Sequence, residues 1–150
     1  MDLLSGNIGG INFAEMKRGH FYMFSYANMQ SNMNEPMVVN PIIVFSALDR
    51  NRRIQGLDLR ILRNHDIFLD DYEKFYMKDG KIKVMYKPEH PHAFSFRILK
   101  ALFLRNPDVE QAWRVYNPLH MKGIKDINIQ ETRQEMRNFH KVRLNNMGVL

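Results

Sequence analysis

Three groups of side chains in this sequence are of types that could do chemistry. Arg50, Arg52, Arg53, Arg60 and Arg63 crowd one short stretch. Guanidinium groups offer several donors to a phosphate or carboxylate, and a set of them on a turn can follow a nucleic-acid backbone without reading bases. These five are the candidate contacts to nucleic acid or an acidic partner; the same residues also suit a solvated turn, or pairing with acidic residues of another subunit. His65, Asp66, Asp70 and Asp71, with His90 and His92 around Pro91, are of metal-ligand type. On a helix Asp66 and Asp70 share a face while the adjacent His65 and Asp66 do not, so a divalent ion needs further ligands from distant segments. With no His-Glu-x-x-His and no P-loop, a helix surface plus a histidine-containing loop is the favoured reading, and no metal is assigned. The serines at 5, 25, 31, 46 and 95 lack a nucleophile elbow, and the chain has no cysteine. No catalytic residue and no cofactor are assigned. The expectation is a non-enzymatic protein, and a metal-dependent nuclease is the least favoured alternative.

The totals narrow the class. At 150 residues the chain has one domain's worth of sequence, and its 45% hydrophobic content, with Phe 10 and Tyr 6, suffices for a core without staples. The absence of cysteine excludes disulfides and cysteine-ligated zinc and fits a reducing compartment. Met1 to Gly10 lack the charged start and apolar run of a secretory signal, and no apolar run approaches a membrane span, so no membrane partner is expected. A formal charge of +6 favours nucleic acid, an acidic protein surface or an anionic membrane, without choosing among them, and fits equally a soluble surface with a positive bias.

The elements that must position these groups follow from pattern. Residues 1–12, with Gly6, Gly9 and Gly10, read as a flexible arm, and 13–150 as a single α+β domain. His20 to Tyr26 is a strand with Phe21, Met23 and Ser25 on one face and Tyr22, Phe24 and Tyr26 on the other, so both faces want cover. Those rings could stack bases, but at this density they belong to a core. Ala27 to Pro36 is a polar loop, Pro41 to Phe45 the clearest strand, and Arg50 to Arg53 a charged turn. Ile54 to Leu62 alternates as a third strand, where Gly56 marks a bulge or a close backbone approach. His65 to Tyr76 turns helical through Phe68, Tyr72 and Phe75. Lys78-Asp79-Gly80-Lys81 is a turn before a return strand at 82–86. Phe94 to Leu104 and Val109 to Val115 read as helices, the second opened by Pro107-Asp108. Lys125 to Gln130 alternates as a strand, and Thr132 with Glu135 forms a candidate capping box for a terminal helix.

Three strands over 19–62 plus the return strand suffice to curl a small barrel spanning about 19–87. Gly19 to Tyr26, Pro41 to Val44 and Gln55 to Leu62, and later Tyr116, His120-Met121 and Ile127-Asn128-Ile129, resemble a family of small tailed-bacteriophage structural proteins. Its members are often labelled DNA end protectors or minor virion proteins and have an SH3-like barrel. Here Asp58 stands where that family's Gly-Leu-Asn-Leu form has asparagine. The resemblance implies a small SH3-like antiparallel barrel or curved sheet with added helices, in a protein of the virion or host cytoplasm. It also implies partnership with other virion or assembly proteins, next to packaged DNA. The terminal helix carries Arg133, Arg137, Lys141 and Arg143 outside an apolar stripe. In it Met136, Phe139 and Val142 are candidates for a protein interface, homo-oligomerisation included, or for closing the monomer's own core. A phage structural or assembly protein is therefore the expectation, with a free nucleic-acid-binding accessory factor as the alternative.

Overall fold

The computed structural model describes residues 7–8, 11–12, 15–28, 37–82, 94–103, 106 and 108–146. Two short strands, β1 (Asn7–Ile8) and β2 (Ile11–Asn12), pair antiparallel within the stretch read as a flexible arm. The main sheet has five strands in line and one off the path. They are β3 (Phe21–Asn28), β4 (Met37–Val39), β5 (Ile42–Leu48), β6 (Ile54–Asp58), β9 (Trp113–Tyr116) and β10 (Met121–Ile127). The order is β10-β3-β5-β6-β9, antiparallel throughout, with β4 paired to β3.

The two outer strands of this order follow one another in the chain, joined by Asn117 and a 3-10 turn at Pro118–His120. A connection that short reaches from edge to edge only if the sheet rolls up. The rings of Phe24 on β3 and Tyr116 on β9 accordingly lie 5.2 Å apart, although neighbouring strands alone are separated by about 4.8 Å and three such steps lie between them. The result is a curled antiparallel half-barrel within an α+β chain, as expected.

Alternation sends each strand into two cores. Tyr22, Phe24, Ile43, Phe45, Ile54, Tyr116, Met121 and Ile124 fill the inside of the curl. Phe21, Ile42, Val44, Leu57 and Ile127 form the other face, which helices cover. Burial on both faces explains why Phe21 to Tyr26 has no polar side. In β10 the buried residues are Met121, Ile124 and Ile127, a spacing of three that a regular strand cannot hold. A register shift between Lys122 and Lys125, with Gly123 at φ 65°, supplies the bulge that allows it. Gly56 marks a close backbone approach, since a Cβ there would sit 2.6 Å from the Val44 carbonyl oxygen, and the bulge lies across from it on β5, where the register shifts between Phe45 and Ala47.

The helices are α1 (His65–Tyr76), α2 (Phe96–Leu102) and α3 (Val109–Ala112), inserted between β6 and β9, and α4 (Ile129–Asn146) after β10. α1 buries Phe68, Leu69, Tyr72 and Tyr76; Phe75, expected on that stripe, is 37% exposed and Tyr76 takes its place. Tyr72 is fully buried, packs on the rings of Phe21 at 5.0 Å and Tyr76 at 5.1 Å, and donates its hydroxyl to the Gly19 carbonyl. Each such ring pair adds about 0.5–1.5 kcal/mol beyond the burial of its area.

Several local expectations are corrected. Leu59–Ile61 is a 3-10 turn, so the third strand stops at Asp58, whose carboxylate accepts from the Arg60 amide and caps that turn. Of the return strand expected at 82–86 only Ile82 is described, and there Lys81–Ile82 (β8) pairs with Met77–Lys78 (β7) across Asp79 and Gly80. Both of these turn residues have positive φ, as a two-residue hairpin requires. Residues 83–86 lie outside the described residues, as do 29–36 of the polar loop and His90 and His92. The strand that completes the sheet is β9, read from sequence as the end of a helix. Among the described residues the curled sheet is built from strands β3 to β6 and from β9 and β10. Finally, α4 starts earlier than Thr132. Asn128 and Glu131 form its capping box, with Glu131 N donating to Asn128 Oδ1 at 2.7 Å and Asn128 N to Glu131 Oε1 at 3.1 Å.

Candidate anion-contact surfaces

The five arginines do not form one cluster. β6 separates the β5–β6 turn, which carries Arg50, Arg52 and Arg53, from the 3-10 turn and the residues after it, which carry Arg60 and Arg63. A five-residue strand places about 17 Å between its ends.

In the 49–53 turn Asp49 is the organiser. Its carboxylate accepts from Asn51 N and Arg53 N at 2.8 Å each and from Arg53 Nε at 2.9 Å. These donors, the Arg53 amide first, hold the Asp49 carboxyl below its usual range. Arg52 sits at φ 57°, which turns the chain back for the Asp49 N to Arg53 O bond. Arg53 is therefore engaged within the turn. Arg50 and Arg52 are exposed and have no ion-pair partner among the described residues.

Arg60 is taken out of consideration as a free phosphate contact by Asp58. The Asp58 side chain is 3% exposed and receives Arg60 Nε at 3.2 Å and Nη2 at 3.0 Å. It also accepts the Tyr116 hydroxyl at 3.3 Å. Burial, and then the Asp58 carboxylate, push the Tyr116 hydroxyl pKa far up. The far face of the Arg60 guanidinium lies 5.6 Å from the centroid of the Phe139 ring. A buried carboxylate needs such partners, so this pair is part of the packing between β6, β9 and α4.

Arg63 belongs to a different surface. Its amide donates to Asp108 Oδ2 at 2.6 Å, and its side chain lines a groove of about 470 Å³ between the start of α1 and the end of α4. His65 and Asp66 form one wall. Arg137, His140, Lys141 and Leu144 form the other, at the i, i+3, i+4, i+7 spacing of a single helix face. Contrary to the expectation from adjacency, His65 Nε2 does touch Asp66, at 3.3 Å. Arg63 is far in sequence from Arg137 and Lys141, and only the crossing of α1 and α4 brings them together.

The apolar stripe of α4 divides as well. Met136 is 1% exposed and Phe139 packs against the same core, so these two close the monomer, which was the second of the two readings of the stripe. Val142, 57% exposed, continues the stripe past the body it packs on. Arg133 is tied to Asp70 at 3.0 Å and Glu73 at 2.7 Å, which clamps α4 to α1.

A further cavity of about 660 Å³, lined in part by Lys17, His20, Lys81, Asp126 and Glu131, was not visible in the sequence. His20 Nδ1 lies 3.3 Å from Asp126, a carboxylate-oriented imidazole. No hydroxyl or thiol stands among its described lining residues to serve as a nucleophile. Among the described residues no three His, Asp or Glu side chains gather as a metal set, and no helix is long and apolar enough to cross a membrane. Compared with protein-family models, with curated proteins and with solved structures, the chain matches none.

Proposed function

We propose that the chain is a bacteriophage structural or assembly protein that works by protein–protein contact in the virion or host cytoplasm, touching packaged DNA through exposed arginines. The phage assignment rests on the sequence resemblance alone. The DNA contact rests on one observation: Arg50 and Arg52 project from a turn whose carboxylate, Asp49, is already satisfied by Arg53 and two backbone amides. Two unneutralised guanidinium groups on a rigid hairpin end suit a polyanion backbone and carry no base-reading geometry.

The test is binding of a short DNA duplex by the purified protein over a range of salt. If Arg50 and Arg52 each neutralise a phosphate, Arg50→Ala with Arg52→Ala lowers the slope of log K against log salt by roughly 0.9 per residue. Tight, steeply salt-dependent binding by the free monomer favours the accessory-factor alternative. Retention of other structural proteins on purification from the native assembly, with weak DNA binding by the monomer, favours the structural reading. A free monomer with no retained component and no DNA affinity overturns both.

A further inference from the structure

We propose that the groove between α1 and α4 is a binding site for a phosphoryl group, held by Arg63, Arg137 and Lys141. The groove uses neither Arg50 nor Arg52, so it stands or falls apart from the hairpin turn.

Composition is the first argument. Three permanent cations face one carboxylate, Asp66, which lies 3.3 Å from the His65 imidazole. Neither Arg63 nor Lys141 has an ion-pair partner for its charged group among the described residues. Arg137 donates to the neutral Gln134 Oε1 at 2.9 Å, a contact that leaves its charge uncompensated. On the same two helices Arg133, by contrast, is paired with Asp70 and Glu73. Like charges converging from α4 and the residues before α1 repel one another, and a bound anion relieves that repulsion.

Shape and donor type point to a phosphoryl oxyanion. Two guanidinium forks and an ammonium supply planar and point-charge donors, the combination that suits a tetrahedral group with several acceptor oxygens. Leu144 closes part of the wall with apolar surface, which weakens competition from water.

The His65 imidazole makes the site responsive to pH. His65 is faced by Asp66 on its own helix and by His140 and Arg133 on α4. Burial holds its pKa below the ordinary histidine value; Asp66 opposes that, while His140 and Arg133 add to it. An oxyanion seated beside His65 favours its charged form, so binding takes up a proton and tightens as pH falls.

The experiment follows the His65 and His140 imidazole resonances by NMR while inorganic phosphate is added to the full chain. Sulfate, which does not titrate in this range, serves for the pH series. Saturable shifts at both histidines are expected. Affinity for sulfate should rise between about pH 8 and pH 5.5, across the ordinary histidine range. Arg137→Ala with Lys141→Ala, both at exposed positions, should weaken binding roughly tenfold or more through loss of two charge-assisted contacts. Arg50→Ala with Arg52→Ala should leave it unchanged. Absence of saturable shifts in the wild-type chain, or affinity within about twofold of wild type in the groove variant, overturns the proposal. A DNA duplex provides the second arm. Duplex binding lost in the groove variant identifies nucleic acid as a source of the phosphoryl group. Phosphate binding with no duplex binding keeps the groove and removes the DNA contact proposed above. Duplex binding that depends on Arg50 and Arg52, with no phosphate response, does the reverse.

Discussion

The rings of Tyr26 and Tyr116 meet edge-on, with centroids 5.1 Å apart and planes at 81°, although their strands stand three places apart in the sheet order. The pair is the seam of the half-barrel. Tyr26 accepts the Asn117 amide on its hydroxyl at 3.2 Å, and Tyr116 donates its own hydroxyl to Asp58, so both ends of the seam are tied to the strands that curl.

Truncating the seam should therefore cost more than losing a surface ring. Tyr116→Ala is expected to destabilise the chain by about 3–5 kcal/mol, and Tyr116→Phe, which loses only the bond to Asp58, by about 1–2 kcal/mol. Equilibrium urea unfolding measures both; equal losses in the two variants would show that the ring does not close the curl.

Two of the glycines with positive φ, Gly19 and Gly123, separate conformational strain from crowding. At Gly123, φ 65° with open space around it, alanine should cost about 1–2 kcal/mol. At Gly19, φ 82°, an added Cβ would stand 2.4 Å from the Phe94 ring, so overpacking adds about 1–3 kcal/mol more. Comparing the urea midpoints of the two variants, at constant m-value, reads the difference.

The start of α4 gives a test of which capping box operates. Asn128→Ala should cost about 0.5–2 kcal/mol, because it leaves the Glu131 amide unpaired. Glu135→Ala, the partner in the box expected from sequence, should stay within about 0.5 kcal/mol of wild type. Thermal unfolding followed by helical circular dichroism distinguishes them.

Stability should also fall on mild acidification, and His65 sets the direction. Its pKa is lower in the folded chain than in the unfolded one, chiefly through burial. Between those two values the unfolded chain holds a proton that the folded chain does not, so unfolding is favoured as pH drops through the unfolded value of about 6.5. The loss levels off below the folded value. His65→Gln should flatten this part of the profile, measured as urea stability against pH, and added phosphate should oppose the loss if the groove binds it.

Much of the sheet was legible in local pattern. The two-faced alternation of Phe21 to Tyr26, the break at Gly56 and the Asp79-Gly80 turn each depend on neighbours a few residues away, where side-chain period and backbone freedom act directly. The Asn128 cap was legible too, since Asn128-Ile129-Gln130-Glu131 has the required spacing, but the Thr132 to Glu135 pattern competed with it. Trp113 to Tyr116 was not. Those four residues follow a helical start at Val109, and their strand state comes from pairing with Ile54 to Leu57, far back in the sequence.

Sequence by itself determined the α+β class, the excess of positive charge and the residues able to meet an anion, because these depend on residue type and short-range period. Tertiary structure decided which of those residues act together. It packed Arg60 against Asp58 and Phe139, left Arg50 and Arg52 on a hairpin end, and gathered Arg63 with Arg137 and Lys141. The physical reason is that a charge's availability depends on which partners and how much water surround it, and both are fixed by how distant segments cross.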